Sequence, residues 1–286
     1  MKPMRKQLLG SVFIALLLLV GCKQPATFGG KPRTKVFHKI ISLSPSTTEL
    51  VGITAVPIIG RTNSCNYPLA VKKVAVVADL KPDYEMIAGL HPDLILVDKD
   101  LYAPADIEKL RSIPGVTIKE FAPTTVKEYE KDLYVLANMI SGETNVNDYV
   151  IKLGKNVEAS IGESPPHPIT AALIIPDGTG HHMIAGTKSF QADVVRIMGA
   201  QLIGPDSNRF ESLNPEFLMS KNPDWIIVAG ETKTFLADKR FANMPAIKSL
   251  KIFGLDQDIV LRRGSRVHDF IYNGHKLLIL GEEKKK

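Results

Sequence analysis

Side chains that could bind a small ligand follow the apolar runs of this 286-residue chain. Arginine and lysine can bind carboxylates, phosphates and amides, tyrosine offers a stacking surface, and histidine, asparagine and cysteine add donors or metal ligands. Ligands of open α/β sheets bind beyond the carboxyl ends of the strands, so we expect these side chains to line one cleft. The predicted ligand-binding residues are Arg61, Asn63, Cys65, Tyr67, Lys99, Tyr102, His181, His182, Arg263, Arg266 and His268, with Arg262 as a further cation in the same loops.

Several of these residues also have a structural interpretation. Arg61 and Arg266 could form salt bridges at the rim of a cleft, and Tyr67 could belong to the core with its hydroxyl at the surface. Cys65 could be a small buried apolar residue. The two adjacent histidines could face solvent in a glycine-flanked loop. The sequence leaves both interpretations open.

The mixture of cations and aromatic rings favours an anionic or amide-rich metal chelate over a bare ion. A bare zinc or manganese site needs three or four converging carboxylates or imidazoles. In these loops the first half of the chain offers only Asp98, Asp100 and Cys65. We therefore predict no protein-coordinated metal and no cofactor beyond a cobalt or iron chelate bound as ligand, with a bare divalent metal as an alternative.

A secreted hydrolase is the alternative from another class of protein. Its nucleophile would be Ser44 or Ser64, with His181 or His182 and Asp177 as partners. The chain has no Gly-x-Ser-x-Gly segment, which would place such a serine on a sharp turn between a strand and a helix. We therefore predict a binding protein without catalytic activity.

Apolar runs of strand length alternate with helix-like segments along the chain. Such runs are typical of parallel sheets covered by helices on both faces, the α/β class. The stretch 124–163 has no strand signal, and its apolar residues recur at helical spacing on either side of Gly142. The pattern predicts two α/β lobes joined by a helical segment. The predicted strands are 40–43, 56–59, 94–97, 116–118, 171–175, 225–228 and 259–261.

One spacing of residues occurs in both halves of the chain. Glu85 and Glu216 each lie seven residues before a Pro-Asp pair that opens an apolar run. This predicts a short helix with the glutamate in its first turn, where the charge complements the helix dipole, and then a turn and a buried strand. Two matching surface carboxylates indicate a pseudo-two-fold molecule that faces a two-fold partner.

With these residues the chain resembles the two-lobed substrate-binding proteins of bacterial importers for vitamin B12, ferric siderophores and haem. The likeness covers about residues 38–280 and includes KIISLSPSTTEL (39–50), IGRTNSCNYP (59–68), both glutamate units and AGTKSF (185–190). It implies two Rossmann-like lobes with mostly parallel central sheets, joined by a long linking α-helix. Between Glu49 and Gly60 the chain is a few residues shorter than is usual in the family, so we expect the first helix to differ.

The resemblance also implies a function and a partner. Such a protein captures a metal chelate, here a cobalamin-type corrinoid or a ferric siderophore, and delivers it to a dimeric ABC permease with its ATPase. Haem is an alternative ligand. In this family the two glutamates dock into arginine pockets of the permease subunits, which carries over here to Glu85 and Glu216. The binding protein itself is expected to be a monomer.

The N-terminus predicts export and lipidation. Three cations precede an apolar stretch from about residue 8 to 20, which is too short to span a bilayer and is typical of a signal peptide. Cys22 directly follows Gly21, as in a bacterial lipobox. This predicts a lipid anchor on Cys22 and an extracytoplasmic protein, in a periplasm or on the outer face of the cytoplasmic membrane. Cys65 would then have no cysteine partner within the body.

The net charge of +6 lies in the flanks of the chain. Residues 40–281 carry 25 basic and 28 acidic side chains, so the body is mildly acidic, which argues against nucleic acid as a partner. The predicted boundaries are 1–21 for the signal peptide, 22–38 for a flexible tether, 39–123 for the N-terminal lobe, 124–163 for the helical linker, 164–281 for the C-terminal lobe and 282–286 for a charged tail.

Overall fold

The computed structural model describes residues 36–162 and 168–283. The strands of its first sheet are β1 (Ile40–Ser42), β2 (Ile58–Thr62), β3 (Ala75–Ala78), β4 (Leu94–Asp98) and β5 (Thr117–Phe121). They are all parallel and lie in the order β3-β2-β1-β4-β5. Their carboxyl ends, and the loops that follow them, are therefore at one edge of the sheet.

The second sheet is mostly parallel. Its strands are β6 (Ile169–Ile175), β7 (Met183–Ala185), β8 (Ala200–Leu202), β9 (Phe210–Ser212), β10 (Trp225–Ala229) and β11 (Ile252–Leu255). The order is β11-β10-β6-β7-β9, with β8 also beside β6. Only the pairs that β7 makes with β6 and β9 are antiparallel among the described strands, so β9 runs in the same direction as β6. The predicted α/β class with two mostly parallel sheets is confirmed.

Helices cover both sheets. Their bounds are α1 (Pro45–Thr54), α2 (Tyr84–Gly89), α3 (Pro104–Arg111), α4 (Val126–Ile140), α5 (Glu143–Gly162), α6 (Phe190–Ile197), α7 (Pro215–Lys221), α8 (Thr232–Leu236), α9 (Pro245–Lys248), α10 (Gln257–Leu261) and α11 (Val267–Glu283). Short 3₁₀ helices occupy Leu69–Lys73 and Lys239–Phe241.

The central strands are buried on both faces, which explains their continuous apolar sequences. In β4, Leu94 and Leu96 belong to one hydrophobic core, whereas Ile95 and Val97 belong to another, because successive side chains of a strand point to opposite faces. The core that contains Leu94 and Leu96 also contains residues of β6 and β10 from the second sheet. The two lobes therefore share one hydrophobic core.

Two helices, α4 and α5, join the lobes. The chain turns between them at Ser141 and Gly142, whose φ angles are 70° and 122°. A Cβ atom at Gly142 would lie 2.7 Å from the Cβ of Thr54, so the close approach to α1 requires glycine. The predicted helix break at Gly142 is confirmed. Helix α5 has 20 residues, about 30 Å, and packs against α1 of the first lobe and α11 of the second.

The prediction of a strand at 259–261 is wrong. These residues form the last turn of α10, which begins after Asp256, whose carboxylate accepts a hydrogen bond from the Ile259 amide at 3.0 Å. The last strand of the sheet is β11, at Ile252–Leu255. A three-residue apolar run has the same appearance in a buried helix and in a buried strand, so periodicity could not separate the two.

The first helix does depart from a glycine-terminated helix. Helix α1 ends at Thr54, and Ala55 takes the left-handed conformation with φ of 60°. Its amide donates to the carbonyl of Gly52. The shortened segment therefore ends its helix with an alanine in a position that usually favours glycine.

Cys65 is buried and forms no disulfide. The predicted lipidation residue Cys22 and the tether up to residue 35 lie outside the described residues. Among the helices that the structure describes, none combines the length and the apolar character required to cross a bilayer.

Candidate ligand cleft and docking surface

The segment 262–266, between α10 and α11, meets the carboxyl ends of the first sheet. Its Arg263 donates to Asp98, the last residue of β4, at 2.5 Å, and to Asp100 at 2.9 Å. The Arg263 amide also donates to the hydroxyl of Ser46 in α1, at 3.2 Å. The loops that were predicted to face each other across a cleft are thus in direct contact here.

The pair between Arg263 and Asp98 is largely withdrawn from water. Only 15% of the Arg263 side chain and 5% of the Asp98 side chain are exposed. Burial raises the pKa of the Asp98 carboxyl, and the Arg263 guanidinium opposes that rise. The guanidinium also donates to the carbonyl of Pro123 at 3.3 Å. Arg263 is therefore bound by the first lobe on several sides.

A second contact is centred on Glu49, a residue of α1 that the sequence analysis did not select as a site residue. Its carboxylate accepts from Arg266 Nη2 at 2.6 Å and from Arg262 Nη1 at 3.2 Å. The Ser265 hydroxyl lies 3.4 Å from the other carboxylate oxygen. The Glu49 side chain has no exposed surface. The one feature of the sequence that could have indicated a buried role for Glu49 was its position directly before the apolar pair Leu50-Val51.

Glu49 pairs with two arginines whose side chains are also mostly buried, since 11% of Arg262 and 15% of Arg266 is exposed. Asp258 gives Arg262 a second carboxylate at 2.7 Å. Removing one partner of a buried ion pair costs about 3–5 kcal/mol, because it leaves an uncompensated charge away from water. Gly264 makes room for the contact, since a Cβ atom there would lie 2.4 Å from Glu49 Oε2. The pairing therefore depends on both the charges and the backbone of the segment.

Polar contacts on either side complete the junction between the lobes. Asn66, in the loop after β2, donates to Asp258 at 3.0 Å and accepts from Arg262 at 2.6 Å. The Tyr129 hydroxyl of α4 donates to the carbonyl of Gly264 at 2.6 Å. These contacts link both lobes and the linker at one place.

Tyr67 and Arg266 form a stacked pair at the surface of this junction. The guanidinium carbon of Arg266 lies 4.5 Å from the centroid of the Tyr67 ring, within the range of a cation–π contact. Tyr67 is 40% exposed and is therefore not a core residue. The structure thus brings three predicted site residues together here, namely Tyr67, Arg263 and Arg266, with the additional cation Arg262.

A sequence profile of the family described as periplasmic binding protein matches residues 40–259. This chain belongs to that family. Curated relatives include an uncharacterised ABC transporter substrate-binding lipoprotein, YvrC, of Bacillus subtilis (strain 168), which is 24% identical over 90% of this chain and 91% of its own length. A vitamin B12-binding protein of Photorhabdus laumondii is 24% identical over 90% of this chain and 92% of its own length.

Solved structures of periplasmic binding proteins share the fold. The apo form of the periplasmic heme-binding protein RhuT from Roseiflexus sp. RS-1 aligns with a TM-score of 0.74 and 18% identity, over 86% of this chain and 99% of its own. At such identity the likeness shows the architecture alone.

In this periplasmic binding protein, Arg61 is 8% exposed. Its guanidinium donates to main-chain carbonyls of residues 62–74, which include Thr62 at 2.9 Å, Lys72 at 3.1 Å and Val74 at 3.2 Å. Each of its three nitrogens has such a partner. Arg61 therefore holds the loop after β2 in place, and the donors of its guanidinium are used within that loop.

Cys65 and Tyr102 are also engaged within the protein. The Cys65 sulfur lies 3.0 Å from the Thr48 hydroxyl, which donates to it, and Cys65 is 1% exposed. Tyr102 donates to the carbonyl of Leu43 at 2.7 Å, and burial raises the pKa of its phenol. By contrast, Lys99 and Asn63 are exposed. Of the predicted ligand-binding residues in the first lobe, Lys99, Asn63 and Tyr67 are therefore the ones whose side chains are exposed to solvent.

The adjacent histidines differ in environment. His181 is exposed, whereas His182 is 2% exposed and its ring lies 5.1 Å from the ring of Phe235. The His182 Nδ1 accepts from the Asp177 amide at 2.9 Å, which leaves Nε2 to donate to Asp238 at 3.2 Å. Both nitrogens of His182 are thus used inside the second lobe.

His268 was predicted in a loop and instead lies in the first turn of α11. Its Nδ1 is 3.0 Å from the Ser265 carbonyl and its Nε2 is 3.2 Å from Asp269. Burial lowers the pKa of His268. His268 thus contacts the segment 262–266 through Ser265, at the start of α11.

A cavity of about 570 Å³ lies at the carboxyl ends of β10 and β11, within the size range of small-molecule sites. Gly230 and Gly254 line it. Their backbones approach closely, because a Cβ atom at Gly254 would lie 2.3 Å from the Gly230 carbonyl oxygen. The predicted ligand-binding residues do not line this cavity. Its polar lining residues are Glu231, Thr232, Lys233, Asp256 and Gln257.

Within the described ranges, no group of three or more histidine, cysteine or acidic side chains is placed to hold a metal ion. The carboxylates near the junction instead pair with arginines, as described above.

The two glutamates of the repeated sequence unit occupy equivalent places. Glu85 lies in the first turn of α2, which follows the edge strand β3, and Glu216 lies in the first turn of α7, which follows the edge strand β9. Both side chains are exposed. Because β3 and β9 run in the direction of the central strands, both helices begin at the carboxyl edge of their sheet, where the cleft loops lie.

The Pro-Asp part of the unit has the same role in both lobes. Asp93 accepts hydrogen bonds from the amides of His38 and Lys39, just before β1, at 2.9 Å each. Asp224 accepts from the amide of Thr170, in β6, at 2.8 Å. Each aspartate therefore joins the start of its own strand to the start of the central strand beside it. The repeated Pro-Asp pair in the sequence reflects this shared hydrogen-bonding role of the aspartate.

Proposed function

We propose that this protein is the substrate-binding lipoprotein of an ABC importer, and that it captures a metal chelate and delivers it to a permease with its ATPase. The ligand is a cobalamin-type corrinoid or a ferric siderophore, with haem as the alternative. Membership of the periplasmic binding protein family and the ABC transporter name of the Bacillus relative support transport.

The observation that carries the proposal is the matched placement of Glu85 and Glu216. Each is exposed, lies in the first turn of a helix after an edge strand, and is on the cleft side of its lobe. A dimeric permease would present two equivalent subunits to these two carboxylates. Exposed ion pairs contribute only about 0–1 kcal/mol each, so such contacts would govern orientation and encounter more than affinity.

The ligand class has separate support. The Photorhabdus relative is named a vitamin B12-binding protein, and the Roseiflexus structure is named a heme-binding protein. The cavity beside Gln257 and the exposed Tyr67 offer polar groups and an aromatic surface of the kind that a large chelate would contact. A bare metal ion has no cluster of ligands among the described residues.

Lipid on Cys22 completes the proposal. The Bacillus relative is named a lipoprotein, which supports an anchor at the cysteine that ends the apolar N-terminal stretch. The protein would then act as a monomer on the outer side of the cytoplasmic membrane, with no catalytic step of its own.

The test is a titration of the full-length protein, purified in detergent, with cyanocobalamin, haemin and a ferric siderophore. We expect one of these coloured chelates to co-elute with the protein and to change its visible absorption spectrum. Substitution Gln257→Trp, which fills the cavity, should weaken retention, whereas Leu250→Trp, at a side chain that is 82% exposed, should not. If no chelate is retained at any concentration, the proposed ligand class is wrong.

A further inference from the structure

The arginines near the junction of the lobes are neutralised within the protein. Arg262 and Arg266 share the buried carboxylate of Glu49, and Arg262 also pairs with Asp258 at 2.7 Å. Arg263 is bound by Asp98 and Asp100. From the sequence these cations favoured an anionic or an amide-rich ligand without a choice between the two. The carboxylates that pair with these arginines distinguish between an anionic and an amide-rich ligand.

An anionic ligand could not take over these guanidinium groups freely. Glu49 has no exposed side-chain surface and Asp98 has 5%. Moving Arg263 to a ligand would leave Asp98 buried without a counterion, and moving both Arg262 and Arg266 would do the same to Glu49. Either change is strongly unfavourable. The positive charge of the junction is therefore used to join the lobes.

The cavity at the carboxyl ends of β10 and β11 has little unpaired positive charge in its lining. Lys233 pairs with Glu231, and Asp256 adds a second carboxylate to the lining. The side chains of Thr232 and Gln257 are uncharged donors and acceptors in the same lining. Such a set hydrogen-bonds to amides and hydroxyls and repels an anion.

Among the predicted cations of the cleft loops, Lys99 differs from the paired arginines, because its side chain is exposed and makes no ion pair among the described residues. A single solvated ammonium attracts an anion weakly, since water and salt screen it.

We infer that the cleft selects a chelate with no net charge and with peripheral amide groups, and that it discriminates against chelates that carry several carboxylates or other anionic groups. This inference rests on the proposed function. A corrinoid and a neutral ferric trihydroxamate share this chemistry. Haem, with two propionates, and a trianionic ferric tricatecholate do not.

The experiment is equilibrium dialysis of the full-length protein in detergent against cyanocobalamin, ferrichrome, haemin and ferric enterobactin. We expect a neutral chelate to bind at least about tenfold more tightly than either anionic one. We also expect its affinity to change by less than about twofold between about 0.05 and 0.5 M salt. The two neutral arms identify whether the source is a corrinoid or a hydroxamate.

Tighter and strongly salt-dependent binding of an anionic chelate would overturn the inference while leaving the proposed function intact. Binding of none of the four would overturn both.

A variant tests the electrostatic cause directly. Asp100 is 46% exposed, so Asp100→Asn should fold, and it removes one of the two carboxylates that neutralise Arg263. We expect the affinity for haemin or ferric enterobactin to rise by about threefold relative to the neutral chelate. The control is Asp206→Asn, which removes an exposed carboxylate paired with Lys188 and should leave the ratio unchanged. An unchanged ratio in Asp100→Asn as well would overturn the account.

Discussion

The carboxylate of Glu49 in α1 lies 2.6 Å from the guanidinium of Arg266, more than 200 residues away in the chain. Glu49 belongs to the first lobe, and Arg266 directly precedes the last helix of the second. One buried carboxylate thus joins both lobes of a periplasmic binding protein and pairs with two of the cations that follow α10.

Substitution Glu49→Ala should lower the free energy of unfolding by about 3–5 kcal/mol, because it leaves Arg262 and Arg266 buried without their shared carboxylate. Urea unfolding followed by circular dichroism measures the change. The control is Glu108→Ala, whose side chain is 73% exposed beside Arg111 and which should cost less than about 1 kcal/mol. Equal effects of the two substitutions would contradict the role assigned to Glu49.

Substitution Gly264→Ala should also destabilise the protein, by about 1–3 kcal/mol, because the new methyl group would lie 2.4 Å from Glu49 Oε2. Gly178→Ala is the matched control, since nothing lies within 4 Å of a Cβ atom at that position. Thermal unfolding of both variants gives the comparison. A melting temperature of Gly264→Ala at or above that of Gly178→Ala would show that the segment can move aside without cost.

The double variant Glu85→Ala, Glu216→Ala should abolish ligand uptake while leaving ligand binding intact, because both exposed carboxylates are proposed to dock on the permease. Uptake is measured in proteoliposomes that contain the permease with its ATPase, and binding is measured by dialysis. The control is Glu108→Ala with Glu158→Ala, two exposed glutamates outside the repeated unit. Uptake at the wild-type rate in the first variant would end the docking proposal.

Asp238 should make the stability of the second lobe depend on pH in the acid range. Hydrogen bonds from Arg240, and a smaller contribution from His182, lower the pKa of Asp238 to about 2. Because this folded pKa lies below the ordinary value near 3.9, the ionised group stabilises the protein above about pH 4, and this contribution is lost as the pH falls through about 2.

Urea midpoints at a series of pH values, in the wild type and in Asp238→Asn, measure this contribution. The variant should show a smaller loss of stability between about pH 4 and pH 2. In an Arg240→Gln background, the substitution Asp238→Asn should change the pH dependence less than it does in the wild type, since the main donor is absent. Parallel stability curves for wild type and Asp238→Asn would contradict the assignment.

Substitution Cys22→Ser should release the protein from the membrane fraction, because the proposed site of lipidation is lost. Mass spectrometry of the N-terminal peptide and cell fractionation measure the two effects. Cys65→Ala, at the buried cysteine of the body, should retain the lipid. A membrane-bound, lipid-modified Cys22→Ser protein would show that another residue carries the anchor.

The parts of the fold that were predictable are those set by neighbours along the chain. The continuous apolar runs of β4 and β10 predicted buried strands, and Gly142 predicted the break between α4 and α5. The placement of Glu85 and Glu216 in first helical turns also follows from local spacing. The failure at 259–261 has a local cause too, since three apolar residues fit either a strand or a helix.

The sequence by itself determined the class of fold, the two equivalent glutamates and the set of cations in the cleft loops, because periodicity and motif spacing are local properties. Only the tertiary structure decided which of those cations have partners. Arg61 binds carbonyls of its own loop, His182 is enclosed and His181 is exposed, and Glu49 meets Arg262 and Arg266. Charge available to a ligand depends on what each group already touches, and those contacts form between residues brought together only when the two lobes pack.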